Sequence, residues 1–235
     1  MLGSASRTLF VVFADPPAGK DEEFRQWYDE MHAPDAFENG SFTALTRYRK
    51  AGPGKTIAPY LALWEGDYPD EAEAWGYIRP RAHALNKEGR VKDVAGTRFA
   101  LMSFFVRATN AAGAGARPKA LTTVQNDWRG WADAPEAEDW WRQAGLDAAP
   151  PSSASYLYTS DPAGRGPGFH LAVFEQDCTP EEAATRWAGI GAPGGSPTPP
   201  YRTIFADPNS PLEAEDPSPR ASAWVMHWQP ITVLP

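Results

Sequence analysis

From Thr8 to Asp15 the chain reads TLFVVFAD, a β-branched and aromatic run closed by an acid and two prolines, which predicts a buried strand. Between Lys20 and His32 the residues Phe24, Trp27, Tyr28 and Met31 recur at the three-and-four spacing of one helical face, and Pro34 is expected to stop that helix. Residues 42–49, FTALTRYR, then alternate Phe42, Ala44, Thr46 and Tyr48 against Thr43, Leu45, Arg47 and Arg49. With PYLALWEGD (59–67) after a Gly and Pro turn they predict a hairpin. Residues 69–89 are acidic at their start, basic toward their end and closed by Gly89, the polarity of a helix, in which Pro80 should introduce a kink. TRFALMSFFVRAT (97–109) reads as a closing strand. Strand, helix, strand, strand, helix, strand is the order of a ferredoxin-like unit.

The same order recurs. YLALWEGDYPDEA (60–72) aligns with HLAVFEQDCTPEEA (170–183), Trp64 facing Phe174 and Glu65 facing Glu175. LTTVQNDW (121–128), EDWWRQAG (138–145), ASYLYTSD (154–161) and ASAWVMHW (221–228) occupy the places of the first strand, first helix, second strand and last strand. The small-residue stretch around 111–118 reads as a linker between a first repeat, 1–110, and a more divergent second repeat, 119–235. A lone ferredoxin-like unit leaves one sheet face uncovered, so the predicted class is α+β, with two βαββαβ repeats packed as an intramolecular dimeric α/β barrel. The chain would act as its own dimer, a further homodimer being left open. In the Pro-rich stretch 191–220 only YRTIFA can order as a strand or turn, and the rest is either a lid or merely mobile.

Composition narrows the partners. Hydrophobic residues at 42% and charged residues at 22% are those of an ordinary globular chain. A net charge of −8 without a Lys/Arg cluster argues against nucleic acid. The apolar run Leu9 to Ala14 is too short for a signal peptide core or a membrane span, and Cys178 is the single cysteine, so no membrane association and a reducing cytoplasm are expected. Ten tryptophans supply flat apolar faces suited to a heavy core or to a cavity for a hydrophobic small molecule.

FRQWYDEMHAPD, followed by an aromatic and a glycine, then RYR and PYLALWE, resembles the dimeric α/β-barrel superfamily, and within it the small bacterial proteins of the EthD type. The resemblance covers about residues 8 to 109, and in the second half the Leu-Ala-Val-Phe-Glu strand with its helix start. It implies a barrel with an internal cavity, often used without metal or organic cofactor. Similar proteins include lactone isomerases, polyketide and phenolic cyclases, decarboxylases and cofactor-free monooxygenases.

His32 lies four residues after Tyr28, so the two share a helical face, and in similar barrels the corresponding histidine faces the cavity. Such a pair suits proton transfer, with His32 as acid or base and Tyr28 donating a hydrogen bond to a developing oxyanion. A histidine in the last turn of a helix is also favoured by the helix dipole, which would raise its pKa. Trp27, Trp64, Arg47 and Tyr48 are candidate substrate contacts, the bland reading for Arg47 being an ion pair, with Glu65 as one conceivable partner. His227, on the strand face opposite Trp224, Met226 and Trp228, is a second candidate, whereas His83 reads as a surface residue. Through the paired aromatics Trp141 stands where the first half has Tyr28, and Gly145 where it has His32, so one cavity is expected to be active.

No metal-ligand cluster and no phosphate-binding glycine loop is present, and no cofactor is expected. The expected function is a cofactor-independent isomerase, cyclase or lyase acting by proton transfer on a hydrophobic aromatic or polyketide-like molecule. The alternatives are a non-catalytic binding or accessory protein and a cofactor-free monooxygenase.

Overall fold

The computed structural model describes residues 8–51, 58–91, 100–110, 118–127, 154–160, 170–188, 202–205 and 222–234. The chain divides into two compact units, one of Leu2–Tyr48, Ile57–Val106 and Ile231–Pro235, the other mainly of Arg49–Thr56 and Arg107–Pro230. We call these the first and the second unit.

In the first unit, strands β1 (Thr8–Ala14), β2 (Ala44–Ala51), β3 (Tyr60–Gly66) and β4 (Ala100–Asn110) lie in the order β2-β3-β1-β4. β1 runs antiparallel to both of its neighbours, with Phe10 opposite Trp64 on one side and Phe104 on the other. Strand order and element order are those of an antiparallel α+β, ferredoxin-like sheet. Along β1, Leu9, Val11 and Phe13 are fully buried, whereas Phe10 and Val12 on the opposite face keep partial exposure.

Helix α1 (Asp21–Trp27) opens with three acids against the positive end of its dipole. The helical path does not stop at Pro34, contrary to the sequence expectation. It passes through a π-helical turn, Tyr28–His32, into α2 (Ala33–Glu38), where Pro34 occupies the first turn. Proline has no N–H and its ring crowds the carbonyl four residues back, here that of Glu30. Widening the preceding turn relieves this, and the N–H of Ala33 reaches the carbonyl of Tyr28, five residues away.

α2 ends at Gly40 and α3 (Glu71–Lys87) at Gly89, both left-handed, with φ of 73° and 68°. In each case two bonds close the helix: Gly40 to Phe37 and Ser41 to Ala36, then Gly89 to Asn86 and Arg90 to Leu85. At Gly40 a Cβ would also lie 3.0 Å from the Tyr77 hydroxyl. Gly40→Ala is therefore expected to destabilise the protein by ~1–2 kcal/mol, read as a lower urea midpoint at unchanged m value. At its other end α3 is capped by the Asp70 carboxylate, which accepts from the N–H of Glu73 at 2.8 Å, and it runs unbroken through Pro80.

In the second unit, β5 (Ala120–Asp127), β6 (Ala154–Ser160), β7 (His170–Gln176), β8 (Arg202–Phe205) and β9 (Ser222–Leu234) follow the order β6-β7-β5-β9-β8. All described pairs are antiparallel except β8 with β9. Helix α4 (Pro180–Ala188) starts with a capping box, Thr179 Oγ1 accepting from the Glu182 N–H and the Glu182 carboxylate accepting from the Thr179 N–H. The last strand is longer than the pattern up to Trp228 predicts, because Ile231, Thr232 and Val233 extend its β-branched run beyond Pro230. The predicted helix at 138–145, most of the expected linker, and residues 189–201 and 206–221 of the Pro-rich region lie outside the described residues. No described helix is long and apolar enough to cross a membrane.

Candidate functional site

A cavity of about 380 Å³ lies within the first unit. Its walls come from Phe10, Val12 and Ala14 of β1, Trp64 of β3, Phe42 just before β2, the α1–α2 helical segment and α3. The volume is near the lower end of the usual range for small-molecule sites, ~300–1,000 Å³. The lining is overwhelmingly apolar and aromatic: Phe10 stacks on Phe42 at 5.7 Å, Phe42 meets Trp64 at 4.9 Å, and Trp75 stands edge-on to Phe10 at 6.1 Å. The few polar side chains on the wall are therefore informative. They include Tyr28 and His32 from the π-helical turn, Asn39 and Ser41 from the turn after α2, and Arg79 from α3.

His32 sits in an aromatic box. Its ring stacks on Trp27 at 4.7 Å and 16°, and stands edge-on to Tyr28 at 4.9 Å and to Trp64 at 5.6 Å. Its ring nitrogens make no hydrogen bond to any described residue, and it lines the cavity. Packed among these aromatic rings, His32 has its pKa pulled by burial from 6.5 down to about 4, with Arg47 pushing the same way and Asp35 opposing. The helix-dipole expectation of a raised pKa is thereby overturned, since the helix continues through Glu38 and His32 does not sit at its end. At neutral pH the imidazole is uncharged and has a nitrogen able to accept a proton.

Tyr28 is buried beside it, and its hydroxyl is paired at 2.8 Å with Trp64 Nε1. Indole nitrogen can only donate, so the phenol oxygen is the acceptor and its own O–H has no described acceptor within the protein. Burial raises the Tyr28 pKa well above 10, against the opposing effects of Arg47 and the Trp64 hydrogen bond, so the hydroxyl keeps its proton. The guanidinium of Arg47 lies 4.1 Å from the Tyr28 ring centre and 5.8 Å from that of Phe24. Arg47 is 2% exposed and is paired through Nη1 with Asp29, not with Glu65, while its buried Nη2 has no hydrogen-bond partner among the described residues. A buried cation thus backs the ring of Tyr28, a residue of the cavity wall.

The wall is fastened at the end of α3. Arg90, just past Gly89, binds the buried Asp35 carboxylate through two nitrogens, one at 2.8 Å, and its carbonyl accepts from Trp27 Nε1 at 3.2 Å. That clamp holds Trp27 flat against His32 and brings Val91 into the wall.

Of the residues singled out from the sequence, Trp27, Tyr28, His32 and Trp64 meet in this cavity. Arg47 and Tyr48 are buried but do not line it, Arg47 lying behind Tyr28 instead. His227 belongs to the second unit, where its Nδ1 is 3.0 Å from Thr122 Oγ1 and burial, then Lys50, lowers its pKa to about 4. His83 is exposed. The sequence reading missed Phe10, Phe42, Trp75 and Arg79. The α3 residues could have been found from Trp75, Ile78, Arg79 and Ala82, which mark one helical face. No group of His, Cys, Asp and Glu among the described residues is arranged to hold a metal ion.

No family model matches the chain, and no curated protein matches it either. Among solved structures it is similar to a protein described as anthrone oxidase-like, with a TM-score of 0.62 at 11% identity, covering 99% of this chain and 94% of that one. It is also similar to a candidate monooxygenase from Fusobacterium nucleatum, with a TM-score of 0.51 at 6% identity, covering 98% and 95%. These likenesses concern the fold alone, and the similar structures have the dimeric α/β-barrel fold.

Proposed function

We propose that the first-unit cavity is an active site that removes a proton from a flat, apolar carbonyl compound or phenol, using only side chains of the chain. The observation that carries this reading is the pairing of a neutral His32 with a Tyr28 hydroxyl whose acceptor role is already taken by Trp64. A carbon acid lying between the aromatic walls transfers a proton to the free nitrogen of His32. The electron pair of the broken C–H bond moves onto the carbonyl oxygen, and Tyr28 donates its O–H to that oxygen as charge develops. Return of the proton from the imidazolium to another carbon completes an isomerisation or prepares a cyclisation, and the base is regenerated.

The aromatic box works in the same direction. It keeps the imidazole uncharged before reaction, and it supplies broad faces to a planar ligand without competing hydrogen bonds. Arg47, behind the Tyr28 ring, favours negative charge on the phenol side of the site as the hydrogen bond shortens.

Anthrone is a suitable probe, being a planar tricyclic ketone with acidic methylene hydrogens, and one of the similar folds is described as anthrone oxidase-like. Enzyme-catalysed exchange of those hydrogens in D2O under argon, followed by NMR, reads the proton transfer alone. Tyr28→Phe is expected to slow it by about 10²-fold, the usual loss for one oxyanion donor. Exchange no faster than in buffer would overturn the assignment. In air the same carbanion could instead be trapped by dioxygen, as a cofactor-free oxygenase would do, and oxygen uptake distinguishes that outcome.

We also read the chain as a tandem duplication. Support comes from the matched segments 60–72 and 170–183 and from the parallel strand orders of the two units. Since Trp141 and Gly145 stand where the first copy has Tyr28 and His32, the reading assigns the chemistry to the first copy alone.

A further inference from the structure

Helix α3 turns a single face to the cavity, marked by Trp75, Ile78, Arg79, Ala82 and Leu85. Four of these are apolar, as the spacing of a wall demands, and the fifth is an arginine. Arg79 and Ala82 are the exposed members of the stripe, so the cavity meets solvent there. The Arg79 guanidinium lies 4.4 Å from the Trp75 ring centre, and among the described residues it has no carboxylate partner. The other arginines near this site are all engaged: Arg47 with Asp29, Arg81 with the carbonyls of Asn39 and Tyr77, and Arg90 with Asp35. In a chain of net charge −8, this cation stands in an otherwise apolar stripe of the cavity wall, stacked on Trp75 and with no carboxylate partner among the described residues.

We propose that Arg79 receives an anionic substituent, a carboxylate or its equivalent, on a ligand whose flat apolar body fills the cavity. This inference rests on the cavity being a ligand site, as argued above. A guanidinium fixed over an indole face keeps its donor edge free for bidentate recognition of a carboxylate, while the ring of the ligand lies deeper, among Phe42, Trp64 and His32. The substrate class so defined is an aromatic or polyketide-like acid, held by charge at the mouth and by apolar contact within.

The test compares two probes by calorimetry on the full chain, 2-naphthol and 6-hydroxy-2-naphthoate, which share a ring system and differ by the carboxylate. The wild type should bind the naphthoate about tenfold more tightly, and the preference should shrink as salt is raised. Arg79→Met keeps an apolar stem against Trp75 and should abolish the preference, with naphthol binding reporting that the cavity is intact. Equal affinities in the wild type, or a preference that survives both high salt and Arg79→Met, would overturn the role of Arg79. Should the variant fail to bind naphthol, the wild-type preference and its salt dependence decide. An absent preference alongside His32-dependent anthrone exchange sinks only the Arg79 assignment. Failure of the wild type to bind either probe, together with no catalysed exchange, sinks the reading of the cavity as well.

Discussion

Glutamine in place of His32 should lower the rate of proton abstraction from a carbon-acid substrate by ~10²–10⁴-fold, the usual contribution of a positioned general base. Glutamine cannot accept a proton at neutral pH, but it fills much of the same space against Trp27 and Trp64. The loss should therefore fall on kcat, while the dissociation constant of a non-reacting planar ligand changes far less. The pH profile gives a second readout. With His32 held near 4 by burial, kcat/KM should stay high down to about pH 5 and fall only as the imidazole takes up a proton. An acid limb near 6.5, or near wild-type turnover in the variant, would remove His32 from the chemistry.

Acid should destabilise the protein through two histidines. Both His32 and His227 are depressed from 6.5 to about 4 in the folded chain. Between those values the unfolded chain binds protons that the folded chain excludes. Their stabilising effect is therefore complete above about pH 6.5, declines as pH falls through the window, and is gone below about 4. Each shift corresponds to roughly 3 kcal/mol, a large share of a typical folding free energy of ~5–15 kcal/mol. Urea unfolding at pH 7 and pH 4.5 should show a marked drop in midpoint for the wild type. His32→Gln and His227→Gln should each reduce the drop, and the double variant more than either. Equal drops in wild type and double variant would mean that neither imidazole is held neutral by the fold.

Much of the fold was legible because its signals are local. The β-branched and aromatic run of β1, acids at the start of α3 with Gly89 at its end, and the helix start TPEE in front of α4 each specify an element through a few neighbouring residues. Pro34 misled for a physical reason. A proline ends an α-helix only if the preceding turn stays α-helical, and here a five-residue hydrogen bond from Ala33 to Tyr28 lets the path continue. Nothing in FRQWYDEMHAP announces that wider turn.

The site was legible in part. Tyr28 and His32 could be paired from their spacing, and Trp27 and Trp64 singled out as flat faces. Which side of β1 borders the cavity could not be read, since Leu9, Val11 and Phe13 are as apolar as Phe10, Val12 and Ala14. The partner of Arg47 was hidden for another reason. Asp29 is 18 positions away, and only the close approach of the π-helical turn to β2 brings the two together. The direction of the His32 pKa shift likewise depends on Trp27, Tyr28 and Trp64 closing around the ring, which is tertiary information.

The central claim, a neutral imidazole held in an aromatic box beside a donating phenol, is tested most directly by NMR titration of labelled histidine side chains, with the His32 signal assigned by its loss in His32→Gln. A midpoint near 4, with neutral imidazole shifts at pH 7, is the result expected. A midpoint at or above 6.5 would contradict it, because His32 would then be a solvated or helix-end histidine and not a base poised in the cavity.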